Sequence, residues 1–115
     1  MILPILLSLA PICYAVDGDT LRCGSERVRL LGIDAPEIHG CRKGRVCAPG
    51  DGQASKRHLA KLIEGKRLTI ERHGRDRYGR TLAYVWANGA NLSCVQIRRK
   101  MAVYVPKWNT GGRGC

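Results

Sequence analysis

Apolar and polar positions alternate along the first third of the chain in a way that predicts strands separated by tight turns. Residues 12–16 read as a strand, and the Gly and Asp residues of "DGDT" make a hairpin turn into a second strand, "TLRC". Gly24-Ser25 turn the chain again into a third strand, "RVRLLGI". Residues 38–52 hold four Gly, one Pro and two Cys and read as a loop. From Gln53 to Glu64 the period changes to helical, with Leu59, Leu62 and Ile63 on one face; Asp51 caps this helix and Gly65 ends it. "RLTI" at 67–70 is a fourth strand, followed by the polar stretch "HGRDRYGR" and a fifth strand, "TLAYVW". Asn88-Gly89 is a turn, and residues 91–101 form a second helix whose end is crowded by three basic residues. Three strands, a helix, two strands and a helix predict a mainly β, α+β domain. With so few residues, the five strands are expected to close as a small Greek-key barrel of the OB type, accompanied by two helices.

Composition sharpens this picture. One domain of 115 residues supports one modest core, and with no Phe that core rests on Leu, Ile, Val and Ala. A net charge of +11, from 20 Lys+Arg against 9 Asp+Glu, points to a polyanionic partner. Six cysteines favour an oxidising compartment. Cys41 and Cys47 bracket a short basic loop that one disulfide could close, and Cys13 and Cys23 could face each other across the first hairpin. Zinc is the rival use of these residues, but no C-x-x-C occurs and His39, His58 and His73 are scattered. The apolar N-terminus is too short for a membrane span and is broken by Pro4 and Pro11, so no membrane partner is expected. Residues 1–11 read either as a secretion signal lacking its basic start or as an apolar stub before the first strand. Export agrees with the cysteines; a secreted or periplasmic location is expected, with a cytoplasmic one left open.

Against this basic background, four of the nine acids fall in two short stretches, "VDGDT" and "IDAPE". Carboxylates that share a small site repel each other unless a proton or a cation lies between them. A hard divalent cation with oxygen ligands is the simpler solution for Asp19 and Asp34. Asp17 and Asp19 also suit a turn for purely structural reasons. Pro36 restricts the backbone on either side, which suits a main-chain carbonyl ligand beside Asp34 and a Glu37 projecting just beyond it. A glutamate near such a cation can take a proton from water. Guanidinium forks match the oxygens of a phosphodiester. Arg29, on the strand leading to Asp34, and Arg80, closing the tight polar loop "RDRYGR", are the candidates for that task, although most of the 20 basic residues must be solvated surface charges. Strict alternation would put Arg29 and Asp34 on opposite faces of one strand, so the strand must twist or bulge, most cheaply at Gly32.

"VDGDTL", "RVRLLGIDAPE", a helix beginning near "GQASKRHL", and "DRYGRTLAYVW" occur in this order and spacing over residues 12–105. In this the chain resembles the staphylococcal nuclease (thermonuclease) family. The resemblance implies a calcium-dependent hydrolase that cuts DNA and RNA, single-stranded or unpaired by preference, and leaves 3′-phosphates. Magnesium is not distinguished from calcium by the ligand types alone. By the same resemblance, Asp19 and Asp34 would bind the metal with their carboxylates and Ala35 with its carbonyl, where the best-known member has threonine. Glu37 would be the general base, or the group that orients the attacking water, Arg29 and Arg80 the phosphate clamp, and Tyr78 and Tyr104 would contact substrate. Residues 12–105 would form the nuclease-like barrel, and 106–115 a short tail in place of the family's third helix. "CRKGRVC" replaces a lysine-rich loop, and its Arg42, Lys43 and Arg45 could follow a phosphate backbone.

Two other classes compete with this one. A non-catalytic OB module would bind single strands by charge and stacking, and a disulfide-stapled structural protein would need only the charge and the cysteines. The combination of Asp19, Asp34, Glu37, Arg29 and Arg80 favours the enzyme, because a pure binder gains nothing from acids that repel phosphate. A monomer that contacts mainly phosphates, without base-sequence specificity and with steep salt dependence, is expected.

Overall fold

The computed structural model describes residues 12–115, so both readings of residues 1–11 lie outside the described residues. Strands β1 (Cys13–Asp17) and β2 (Thr20–Cys23) form the first hairpin and lead to β3 (Glu26–Leu30) and the two-residue β4 (Ile33–Asp34). Helix α1 (Gly52–Ile63) follows the long loop, then β5 (Leu68–Arg75), β6 (Thr81–Ala87) and β7 (Ala90–Asn91). Helix α2 (Leu92–Arg98), β8 (Val103–Tyr104) and a 3-10 turn (Pro106–Trp108) complete the chain. The fold is α+β with two α-helices among the described residues, as expected.

The five strands read from the sequence correspond to β1, β2, β3, β5 and β6. They are hydrogen-bonded in the order β1-β2-β3-β6-β5, with β7 added to β6. Neighbours are antiparallel except β3 and β6, which run parallel with Val28 opposite Thr81 and Leu30 opposite Ala83. This path, with β1 and β5 as its outer strands, is consistent with a partly open OB-like arrangement. Three strands go beyond the expected five: β7, and the separate pair β4–β8.

The core is aliphatic, as the lack of Phe requires. Leu21, Val28, Leu30, Ile33, Leu59, Val85 and Leu92 are almost wholly buried between the sheet and the helices. Helix α1 packs on β1 through Ser55, Leu59 and Ile63, spaced at i, i+4 and i+8. Its N-cap is Asp51, whose side chain accepts hydrogen bonds from the Gln53 and Ala54 amides. The other face of β6 carries Tyr84, only 1% exposed, under residues 109–113. That tail is secured by the Cys94–Cys115 disulfide and by the Arg113–Glu71 ion pair.

All six cysteines form disulfides: Cys13–Cys23, Cys41–Cys47 and Cys94–Cys115. None is therefore available to zinc. The first bridge joins directly opposed residues of the β1–β2 hairpin. Among the described residues, no helix is long and apolar enough to cross a membrane.

Candidate active site

The third strand does not continue through "RLLGI". It stops at Leu30, turns through Leu31-Gly32, and resumes at Ile33. Gly32 sits at φ +82°, a conformation that costs a residue with a Cβ and costs glycine little. Ser93 of α2 donates to the Leu31 carbonyl (2.8 Å), and the Gly32 amide donates to the Trp108 carbonyl (3.1 Å), so the break is held from two sides. Its consequence is chemical. Arg29 and Asp34, which an unbroken strand would set on opposite faces, now meet: Arg29 Nη2 is 3.8 Å from Asp34 Oδ1. Arg29 Nη1 lies 3.4 Å from Asp19 Oδ2 as well.

Asp19 arrives from the β1–β2 turn, which is pressed against α1. A Cβ on Gly18 would fall 1.7 Å from Ser55 Oγ and 2.8 Å from the Ala35 methyl, so only glycine allows this approach. Fully buried Gln96 of α2 secures it, donating to the Gly18 carbonyl (2.8 Å) and the Ser55 carbonyl (3.2 Å). Both oxygens of Asp19 are oriented: Oδ1 accepts from the Thr20 hydroxyl (3.0 Å) and Oδ2 from the Ala35 amide (2.8 Å). Asp17 accepts from the Asp19 amide at 3.0 Å.

Three carboxyl groups thus face one arginine. Burial first, and then the Asp19 carboxyl beside it, push Asp17 well above the usual carboxylate range. Asp34 is also raised, by burial and then by the Asp19 charge; Arg29 opposes this, and Glu37 adds to it. Such a site is short of positive charge, which is what a bound cation would supply. Asp19, Asp34 and the Ala35 carbonyl make a partial set of hard oxygen donors that water can complete, and in that sense they fit calcium or magnesium. No group of three or more His, Cys, Asp or Glu among the described residues offers a fuller cage.

Glu37 follows buried Pro36 on the rim, and its partner comes from the disulfide-closed loop: Arg45 Nη2 is 3.6 Å from Glu37 Oε1. Opposite, Asp76 organises the loop between β5 and β6. Its Oδ1 accepts from the Tyr78 and Arg80 amides (both 2.9 Å), and its Oδ2 accepts from Arg80 Nε (2.8 Å). Burial pushes the Asp76 carboxyl up, but these bonds outweigh it and hold the group below its ordinary value. Arg80 and Arg77 both lie over the Tyr78 ring, at 5.6 and 5.0 Å from its centroid.

A single cleft of about 910 Å³ holds Asp19, Arg29, Asp34, Ala35, Glu37, Tyr78 and Arg80 together. Tyr104 is not in its lining; it pairs with Ile33 in the β4–β8 ladder, and its hydroxyl accepts from the Asn109 amide (3.4 Å). The cleft also contains residues that sequence reasoning missed or cast differently. Trp108, read as tail, stacks against Arg29 at 5.3 Å, and Arg45, read as backbone-following, is tied to Glu37. Asp76 carried a signal in "DRYGR", a polar turn, without revealing which side chains it aims.

A small basic α+β domain with an acidic pocket flanked by arginines defines the class. Residues 27–113 match the family described as "Staphylococcal nuclease homologue", and the chain belongs to that family. It is 38% identical over 91 residues to an "Uncharacterized endonuclease" of Haemophilus influenzae, covering 75% of this chain and 46% of that protein. To the "Thermonuclease" of Staphylococcus intermedius it is 39% identical over 77 residues, covering 62% and 44%. To the "SPbeta prophage-derived endonuclease YokF" of Bacillus subtilis it is 32% identical over 105 residues, covering 84% and 34%. The chain spans less than half the length of these three relatives.

Proposed function

We propose that the protein is a calcium-dependent phosphodiesterase that hydrolyses DNA and RNA, acting as a monomer outside the cytoplasm on single-stranded or unpaired substrate. One observation carries this reading: Arg29 bridges Asp19 and Asp34 in the same cleft as Glu37 and Arg80. The nuclease names of the relatives and the three disulfides support it. Asp19 and Asp34 would hold calcium with their carboxylates and Ala35 with its carbonyl; bound there, the ion supplies positive charge beside the phosphate and acidifies nearby water.

The chain's own groups then have distinct tasks. Glu37, on the rim beside Arg45, accepts the proton of the attacking water. The water oxygen bonds to phosphorus, the bond to the 5′ oxygen breaks and that oxygen takes a proton from solvent, leaving a 3′-phosphate and a 5′-hydroxyl. Arg29 and Arg80 donate to the phosphate oxygens, where negative charge grows. Both are held by carboxylates before substrate arrives, which lowers the cost of orienting them. Tyr78, under Arg80, would hydrogen-bond a neighbouring phosphate. Tyr104, outside the cleft, is left to contact substrate only beyond it.

The test is cleavage of single-stranded DNA with calcium, with chelator, and by Glu37→Gln, with circular dichroism on each sample. Calcium-dependent cutting that falls by about 10²–10⁴ in the folded variant is expected. A folded wild type that binds DNA but never cuts it would replace this reading with the binding module.

A further inference from the structure

Beside the catalytic cleft lies a second, open groove of about 410 Å³ that shares Asp17, Arg27 and Arg80 with it. Its remaining wall is built on the first hairpin and α1, by Tyr14, Arg22 and Lys56 together with Ala15, Val16 and Thr20. Tyr14 and Arg22 are cross-strand partners, one position in from the Cys13–Cys23 pair. The disulfide therefore fixes the stretch of ladder that presents them. Tyr14 is 57% exposed.

Two features favour this groove as a place for a strand to continue. Arg29, Arg45 and Arg80 in the catalytic cleft are all paired with carboxylates, whereas among the described residues neither Arg22 nor Lys56 has an ion-pair partner. Both are nevertheless half-buried in the groove wall. The second feature is where the aromatics go. The chain has four Tyr and two Trp and an aliphatic core, yet Tyr14, Tyr78 and Trp108 are spent on the linings of the two clefts. The one acid on the seam, Asp17, is engaged with the Asp19 amide. Unpaired cations beside an exposed ring, continuous with a phosphate-facing cleft, are the elements of a single-strand track.

We propose that Tyr14, Arg22 and Lys56 form a second polynucleotide subsite, which takes the phosphates and a stacked base of the strand leading away from the catalytic cleft. This rests on the polynucleotide reading above and specifies its substrate as a chain longer than the unit being cut. Arg27 joins the two sites, its guanidinium donating to the Tyr78 carbonyl from the shared wall.

The test measures binding of fluorescent oligothymidylates of two and ten nucleotides by anisotropy, in chelator so that nothing is cut, across a salt series. It compares the wild type with Tyr14→Ala, Arg22→Gln/Lys56→Gln, and a control, Lys61→Gln/Arg98→Gln, whose residues line neither cleft. The double groove variant should lose about tenfold on the decamer, with a log–log salt slope flatter by about 1.4 for two removed cations. Tyr14→Ala should lose about tenfold on the decamer with the slope retained. The dinucleotide should lose much less than the decamer in both cases. Decamer losses matched on the dinucleotide, or equalled by the control, would overturn the subsite alone. A wild type that binds neither oligonucleotide would overturn the polynucleotide reading itself.

Discussion

Replacing Gln96 with leucine should separate the polar joint beneath the site from the apolar core around it. Gln96 is fully buried and lies where α2, α1 and the β1–β2 turn meet. Its amide donates to the Gly18 and Ser55 carbonyls, and its oxygen is hydrogen-bonded to the His58 ring. Leucine has a similar volume, so the cost is not a cavity. The Gly18 carbonyl loses its donor in a place water does not reach, at about 1–3 kcal/mol, whereas the Ser55 carbonyl keeps its partner within α1; added apolar burial offsets part of the loss. A net loss of about 1–3 kcal/mol follows, or roughly 4–12 °C in Tm for a domain of this size. Ser55→Ala removes only the hydroxyl that donates to the Met101 carbonyl (2.6 Å) and should cost about 1 kcal/mol. Thermal and urea unfolding of the three proteins measure both differences. A Gln96→Leu protein within about 3 °C of wild type, or one more stable than Ser55→Ala, would refute the idea that this joint holds the Asp17–Asp19 turn in place.

Glu26 accepts two hydrogen bonds from Arg72 (2.9 and 2.8 Å) and one from Thr81 (2.8 Å). The Arg72 bonds first of all draw its pKa down to about 2 from an ordinary 4.5. Because the folded value is the lower one, its contribution is present above about pH 4.5 and is lost as pH falls toward 2. Solvent screening at the partly exposed pair limits it to about 1 kcal/mol, and Glu26→Gln should remove that part of the acid limb of a Tm–pH curve. Cys94→Ser/Cys115→Ser opens a loop of 21 residues' separation and should cost about 3 kcal/mol. The same variant should expose Tyr84 to acrylamide or to hydroxyl-radical labelling. Cys41→Ser/Cys47→Ser frees the loop that sets Arg45 beside Glu37. Its effect should fall on cleavage, about tenfold in kcat/KM, with the Tm nearly unchanged because the loop is exposed.

Much of this molecule is legible in its sequence where local chemistry repeats or caps. The α1 helix announces itself through Asp51, Leu59 and Gly65, and the acidic stretches stand out against the positive charge. What escapes is set by tertiary context. Strands β4, β7 and β8 have two residues each, too few for any alternation to register. Strand β5 runs to Arg75 rather than ending at Ile70; as an outer strand with its later half exposed on both faces, it reads as polar loop. "RVRLLGI" reads as one strand, and only the need to bring Arg29 to Asp34 pointed to a break at Gly32. The Cys94–Cys115 bridge and the stacking of Trp108 on Arg29 join distant segments that share no local signal.

If the carboxylates are kept close together for a cation, loss of the Asp34 charge should change what calcium does to stability. Burial and the neighbouring Asp19 and Glu37 charges make an ionised Asp34 unfavourable in the metal-free fold. Scanning calorimetry of wild type and Asp34→Asn, each with chelator and with calcium at about 100 times its Kd, reads the balance. Without calcium the variant should melt slightly higher than wild type. With calcium the wild type should gain about 2.7 kcal/mol, roughly 10 °C, while the variant gains little. A wild type whose Tm ignores calcium, or a variant that keeps the full shift, would show that these carboxylates do not hold a cation.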